Sequence, residues 1–169
     1  MSIAVRCILD PWIMIGASVF MCTCAAHEAH RYEPQRIEAE VRAMFEQYAN
    51  AQRSQGLRGE LPFLDTSNAF FWVPPGYAGP IGFDSVRTIV ERTAPTLRAI
   101  DPRWRALRIE PMNDSMAAYT GELEAVTVGM NDNTTRTTLL ETGFVVKRAD
   151  GWKLLCGQTC YAPPEKEGP

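Results

Sequence analysis

The chain has 169 residues, enough for one domain with a real core and too few for two of ordinary size. Its composition is globular, 46% hydrophobic and 22% charged, with no low-complexity run or internal repeat. A formal net charge of −3, with the arginines spread along the chain, gives no electrostatic basis for binding nucleic acid.

The N-terminus has a texture of its own. MSIAVRCILDPW carries one basic residue, Arg6, beside the terminal amine, and an apolar stretch runs from Trp12 to Ala26, ending in small residues. This order resembles a bacterial secretory signal. The stretch is short for a spanning helix, which needs about 20 apolar residues. The expectation is export, to the periplasm or the medium, with residues 1–26 removed and 27–34 left as a linker. Cys22 and Cys24 leave a lipoprotein as an alternative, and an uncleaved membrane anchor is the third. Of the five cysteines, the mature domain then keeps Cys156 and Cys160. On a regular strand these two Cα atoms stand roughly 13 Å apart, too far for a bridge unless the strand breaks between them.

From Glu33 to Ser54 the spacing of Ile37, Val41, Met44, Phe45 and Tyr48 predicts an amphipathic helix, with Pro34 in its first turn and Gly56 ending it. A turn-rich piece, LRGELPFLDTSNA, leads to FFWV, a short strand, and PPGYAGPIG is a loop. Asp84 then looks like the N-cap of a second helix running to Ile100 with an interruption at Pro95. After Pro102 four strand-like segments follow, separated by Asn113-Asp114, Asn131-Asp132-Asn133 and Ala149-Asp150-Gly151. Helices first and an antiparallel meander afterwards is an α+β plan. The tail from 163 to 169 is expected to be disordered.

The ordered set VRAMFEQYANA, LDTSNAFFWVPPG, GFDSVRTIV, AAYTGELEAVTV, TGFVVKRADGWKLL and QTC resembles the SnoaL-like branch of the nuclear transport factor 2-like superfamily. The resemblance covers about residues 35–162. It implies a cone-shaped α+β fold, a curved antiparallel sheet wrapped by N-terminal helices around a pocket. It leaves function open, because the family holds isomerases, cyclases and dehydratases beside binders and dimerisation modules.

Histidine usage narrows the chemistry. Both histidines, His27 and His30, precede the expected domain, so a Ser-His-acid triad, a Cys-His pair or a His-bearing zinc site is excluded from its core. Neither a metal nor a cofactor is expected. Aligned with the steroid isomerases of the superfamily, the tyrosine position falls on Tyr48, the base position on Val73 and the second acid near Gly143. Two of the three groups are therefore missing. Glu141, two residues from the last of these, is the best remaining carboxylate; the alternative is that it faces solvent or pairs with an arginine. Glu122 and Glu124 are expected to face water. Trp72 and Trp104 are candidate pocket walls. By strand alternation Cys156, Gln158 and Cys160 share a face with Trp152 and Leu154, which makes Cys156 and Gln158 candidate pocket contacts. The leading expectation is an exported protein that binds a small apolar molecule or a partner in its pocket. The first alternative is a cyclase, dehydratase or isomerase using Glu141 as base with Tyr48 or Gln158. The second is a structural module forming a homodimer through the sheet.

Overall fold

The computed structural model describes residues 32–163. The expected leader, its cysteines, His27, His30 and all but the first residue of the tail lie outside the described residues. Among those described, no helix is long and apolar enough to cross a membrane.

Helix α1 spans Pro34–Gln55. Its buried stripe, Ile37, Val41, Met44, Phe45 and Ala49, follows the three- and four-residue spacing, while Arg36–Glu40 and Arg42–Glu38 pair along the outer side at 2.6 and 2.8 Å. Gly56, at φ 71°, ends the helix in the left-handed region that glycine tolerates. The chain then turns back as a 3-10 helix, Leu57–Phe63. A Cβ on Gly59 would lie 2.3 Å from the Ala51 carbonyl oxygen. Glycine alone lets this segment lie directly against α1.

Strand β1 is Phe71–Val73, and helix α2 follows at Phe83–Thr93. The second helix is shorter than its pattern suggests. Pro95 cannot extend it, a 3-10 turn occupies Ala94–Thr96, and the residues expected as its last turn open strand β2, Leu97–Asn113. Pro102 therefore lies inside a strand. It is tolerated there because β2 is an edge of the sheet. Asp84 sits in the first turn after an N-cap at Gly82 and pairs with Arg87 at 2.8 Å instead of capping. Strands β3 (Met116–Gly129), β4 (Thr134–Arg148) and β5 (Gly151–Tyr161) complete the meander at the expected hairpins.

The sheet order is β1-β5-β4-β3-β2. Strands β2 to β5 are antiparallel, but β1 runs parallel to β5, so the sheet is mixed at one edge. Because β1 and β2 form opposite edges, the connection through α2 must cross a face of the sheet. That crossing and α1 make it an α+β cone. Inside it, Phe45 packs edge-on to Trp104 at 5.2 Å between ring centroids and against Tyr119 at 4.6 Å. Ala117, Val145, Trp152 and Leu154 close the core beneath α1. Each large side chain buried in this way contributes about 1.5–3 kcal/mol.

One irregularity changes the reading of the last strand. Phe144 pairs with Cys156 whereas Val145 pairs with Leu154, so Leu155 is an extra residue in β5. Such a bulge reverses the alternation beyond it. Trp152 and Leu154 face inward, and so do Gly157 and Thr159. Cys156, Gln158 and Cys160 face outward, contrary to the alternation expected from the sequence.

Candidate functional site

The inner surface of the cone holds a cavity of about 290 Å³. Its wall is mostly apolar, with Leu64, Phe70, Val90, Leu123, Leu139 and Leu154 among the residues that line it. Set into this wall are Tyr48 and Gln52 from α1, Glu60 from the 3-10 helix, Trp72 from β1, Glu141 from β4 and Thr159 from β5.

Glu141 is placed by the sheet. It stands opposite Gly121 on β3 and Thr159 on β5, on the same face as Gly143 and Val145. The Tyr119 hydroxyl donates to its Oε1 at 2.8 Å and the Thr159 hydroxyl to its Oε2 at 3.2 Å. Trp72 Nε1 donates in turn to Thr159 Oγ1 at 3.0 Å, which fixes the orientation of that hydroxyl. Glu141 is 8% exposed. Burial raises its carboxyl above the ordinary range, and the two hydroxyls work against the rise.

Glu60 is placed by the close approach at Gly59. Gln52 Nε2 donates to its Oε2 at 2.7 Å and the Tyr48 hydroxyl donates to the same oxygen at 3.2 Å. Its Oε1 has no hydrogen-bond partner among the described residues. Burial is the main reason its pKa rises to about 7, and the nearby Glu141 charge adds to the rise. Tyr48 is pushed well above its usual range by burial first and then by the charges of Glu60 and Glu141, so it stays protonated and serves as a donor. Two tyrosine–glutamate pairs thus support the site: Tyr48 and Glu60, both on the cavity wall, and Glu141 on the wall backed by Tyr119 from the core.

The structure brings together Tyr48, Trp72 and Glu141 of the residues singled out in the sequence. Trp104 lies elsewhere. Its ring covers Gly121, where a Cβ would come within 2.8 Å of it, and it lines a groove between α1 and β2. Cys156 and Gln158 lie in a cleft on the opposite face of the sheet with Phe71, Val73 and Phe144, a consequence of the bulge at Leu155. Both thiols are free, and burial raises that of Cys156. Glu124 does face away from the cavity but is 7% exposed, not solvated. The Arg136 and Arg105 guanidiniums cover it and hold its carboxyl below the usual range. Among the described residues no group of three or more His, Cys, Asp or Glu comes together as a metal site.

Glu60, Gln52 and Thr159 were not singled out by the sequence. The signal for Glu60 was weak: one acid between Gly59 and Leu61-Pro62, in a segment without strand or helix period. Thr159 was hidden by the bulge that turns it inward.

Neither a family model nor a curated protein matches the chain. Solved structures do. A nuclear transport factor 2-like superfamily protein from Salmonella enterica serovar Typhimurium superposes with a TM-score of 0.65 at 15% identity, covering 79% of this chain and 96% of that one. The fold is that of the nuclear transport factor 2-like superfamily. A candidate scytalone dehydratase from Novosphingobium aromaticivorans shares this nuclear transport factor 2-like fold with a TM-score of 0.67 at 12% identity, over 76% of this chain and 86% of that one. A type 2 hexachlorocyclohexane dehydrochlorinase, LinA, gives 0.59 at 12% identity, over 78% and 97%. At such identities the likeness establishes the nuclear transport factor 2-like fold alone, and the chemistry must be argued from the side chains.

Proposed function

We propose that this chain is a cofactor-independent acid–base enzyme, an isomerase or dehydratase acting on a small, largely apolar molecule. The observation that carries the reading is Glu60: a carboxyl with a pKa of about 7, lining an apolar cavity with one oxygen free. A proton-transfer group works best when its pKa lies near the working pH. In an elimination the Glu60 carboxylate takes a proton from carbon, the C–H electron pair becomes the new double bond, and the leaving group departs with its own electrons. The proton returns from Glu60 to a departing hydroxyl as water, while Gln52 and Tyr48 hold the Oε2 of Glu60 in place. In an isomerisation the same proton returns to a different carbon. Glu141, with both oxygens held by the Tyr119 and Thr159 hydroxyls, is a fixed polar group on the wall that orients the substrate.

The sequence placed ligand binding ahead of chemistry because histidine is absent from the domain and valine occupies the base position. Glu60 supplies the titrating group that this argument lacked. Two structural neighbours are named for eliminations, a dehydratase and a dehydrochlorinase, which agrees with a site organised around one movable proton.

The test uses 5-nitrobenzisoxazole, a neutral aromatic probe whose ring opens when a base removes one C–H proton. Purified protein should accelerate its opening above the buffer rate. The rate should rise as Glu60 ionises near neutral pH, and Glu60→Gln should bring it to the buffer rate. Equal turnover in wild type and Glu60→Gln would refute the assignment.

A further inference from the structure

Among the described residues, the buried carboxylates Asp65 and Glu124 are met by arginines, whereas the carboxyls of the cavity are not. Arg148 pairs with Asp65 at 2.6 Å, and Arg105 and Arg136 both pair with Glu124. Glu141, as deeply buried as these, has no cation on it among the described residues; its partners are the hydroxyls of Tyr119 and Thr159. Glu60, beside it in the cavity, has an amide and a hydroxyl for partners and likewise no cation. The cavity wall contains no lysine, arginine or histidine. A site with two acids and no base rejects carboxylate and phosphate ligands, since each would add a third negative charge in a medium that screens poorly.

A neutral ligand would leave the two acids as they are. A ligand that carries a positive charge on an apolar body would do more. Its ammonium supplies the counter-ion that Asp65 and Glu124 receive from the protein, and its body fills a wall of leucine, valine and phenylalanine. Aromatic faces are available too, because Tyr48, Phe70 and Trp72 all line the cavity. The volume, about 290 Å³, lies at the small end of ligand pockets, which span roughly 300–1,000 Å³.

We infer that the cavity selects a small hydrophobic amine, whose ammonium group pairs with Glu141 and whose apolar body lies against the inner wall. This rests on the proposed function and names its substrate class: Glu141 anchors the charged end, leaving Glu60 to move the proton. Each group keeps one task. Glu141 has both oxygens held by hydroxyls, whereas Glu60 has only Oε2 held and lines the same cavity.

Three probes of one shape separate the possibilities: 2-phenylethylamine, 2-phenylethanol and phenylacetate. Binding to the purified full chain is measured by calorimetry and by the shift in thermal midpoint. The amine should bind roughly tenfold or more tighter than the alcohol, and phenylacetate should not bind. Glu141→Gln should remove the preference for the amine over the alcohol. An alcohol that binds as well as the amine overturns the inference, as does no binding by the amine, or an amine preference that survives Glu141→Gln. If Glu141→Gln does not fold, the amine-to-alcohol ratio on wild-type protein decides alone. Failure here is separable from failure of the proton-transfer reading, because benzisoxazole opening needs no amine and depends on Glu60.

Discussion

Tyr48 and Glu60 meet across the junction of α1 and the 3-10 helix, with the tyrosine hydroxyl 3.2 Å from the carboxyl oxygen that Gln52 also holds. The contact depends on Gly59, which lets the two segments approach until their backbones touch. It produces a titrating group in a cavity whose sequence contains no histidine to provide one.

Gly59→Ala should therefore disturb both fold and site. The added Cβ would fall 2.3 Å from the Ala51 carbonyl oxygen, against backbone that cannot yield by side-chain rotation. A destabilisation of about 2–3 kcal/mol is expected in urea unfolding. Displacement of Glu60 from its burial should also move its carboxyl back toward the ordinary range. An unperturbed midpoint for Glu60 in a folded Gly59→Ala variant would show that this approach does not position it.

Glu60 also makes stability depend on pH in an unusual direction. Its pKa rises from an ordinary 4.5 to about 7, so between those values the native state holds a proton that the unfolded chain has lost. Its contribution falls as pH rises across that window and levels off above it. Glu60→Gln removes the penalty. The variant should be more stable than wild type by about 3 kcal/mol at alkaline pH and equal to it near pH 4 or below, as read by urea unfolding at both.

Asp65 behaves in the opposite sense. Burial raises its carboxyl, but the hydrogen bonds from Arg148 and Ser67 outweigh that and hold it low. Its contribution is present above the ordinary aspartate range and is lost as pH falls below about 4. Arg148→Met leaves the carboxylate buried without its partner, at a cost of about 3 kcal/mol near neutrality. The difference from wild type should shrink on acidification, as chemical denaturation at both pH values can show.

The sequence carried the plan of the fold better than the detail of the site. The stripe from Ile37 to Tyr48 and the polar hairpins at Asn113, Asn131 and Asp150 located α1 and the meander, because period and turn chemistry are local properties. Three features were not local. The parallel pairing of β1 with β5 depends on residues some 85 positions apart. The bulge at Leu155 has no signature in Leu-Leu-Cys-Gly, yet it sends Gln158 outward and Thr159 inward. Glu60 occupies a 3-10 segment whose irregular spacing gives no face to read, so only packing against α1 reveals it. The spacing of Glu141 to Gly143 left both an inward and a solvent-facing position open, and burial on the inner face decides it.

The most direct test of the account is a titration of the glutamate side-chain carboxyls by carbon NMR, assigned with Glu60→Gln and Glu141→Gln. Glu60 should titrate near 7, and Glu141 above the ordinary glutamate value of 4.5. In Glu141→Gln the Glu60 midpoint should fall, since the neighbouring charge that raises it is gone. A Glu60 midpoint at or below 4.5 would contradict the account, because the group assigned to move the proton would then have no pKa near neutral pH.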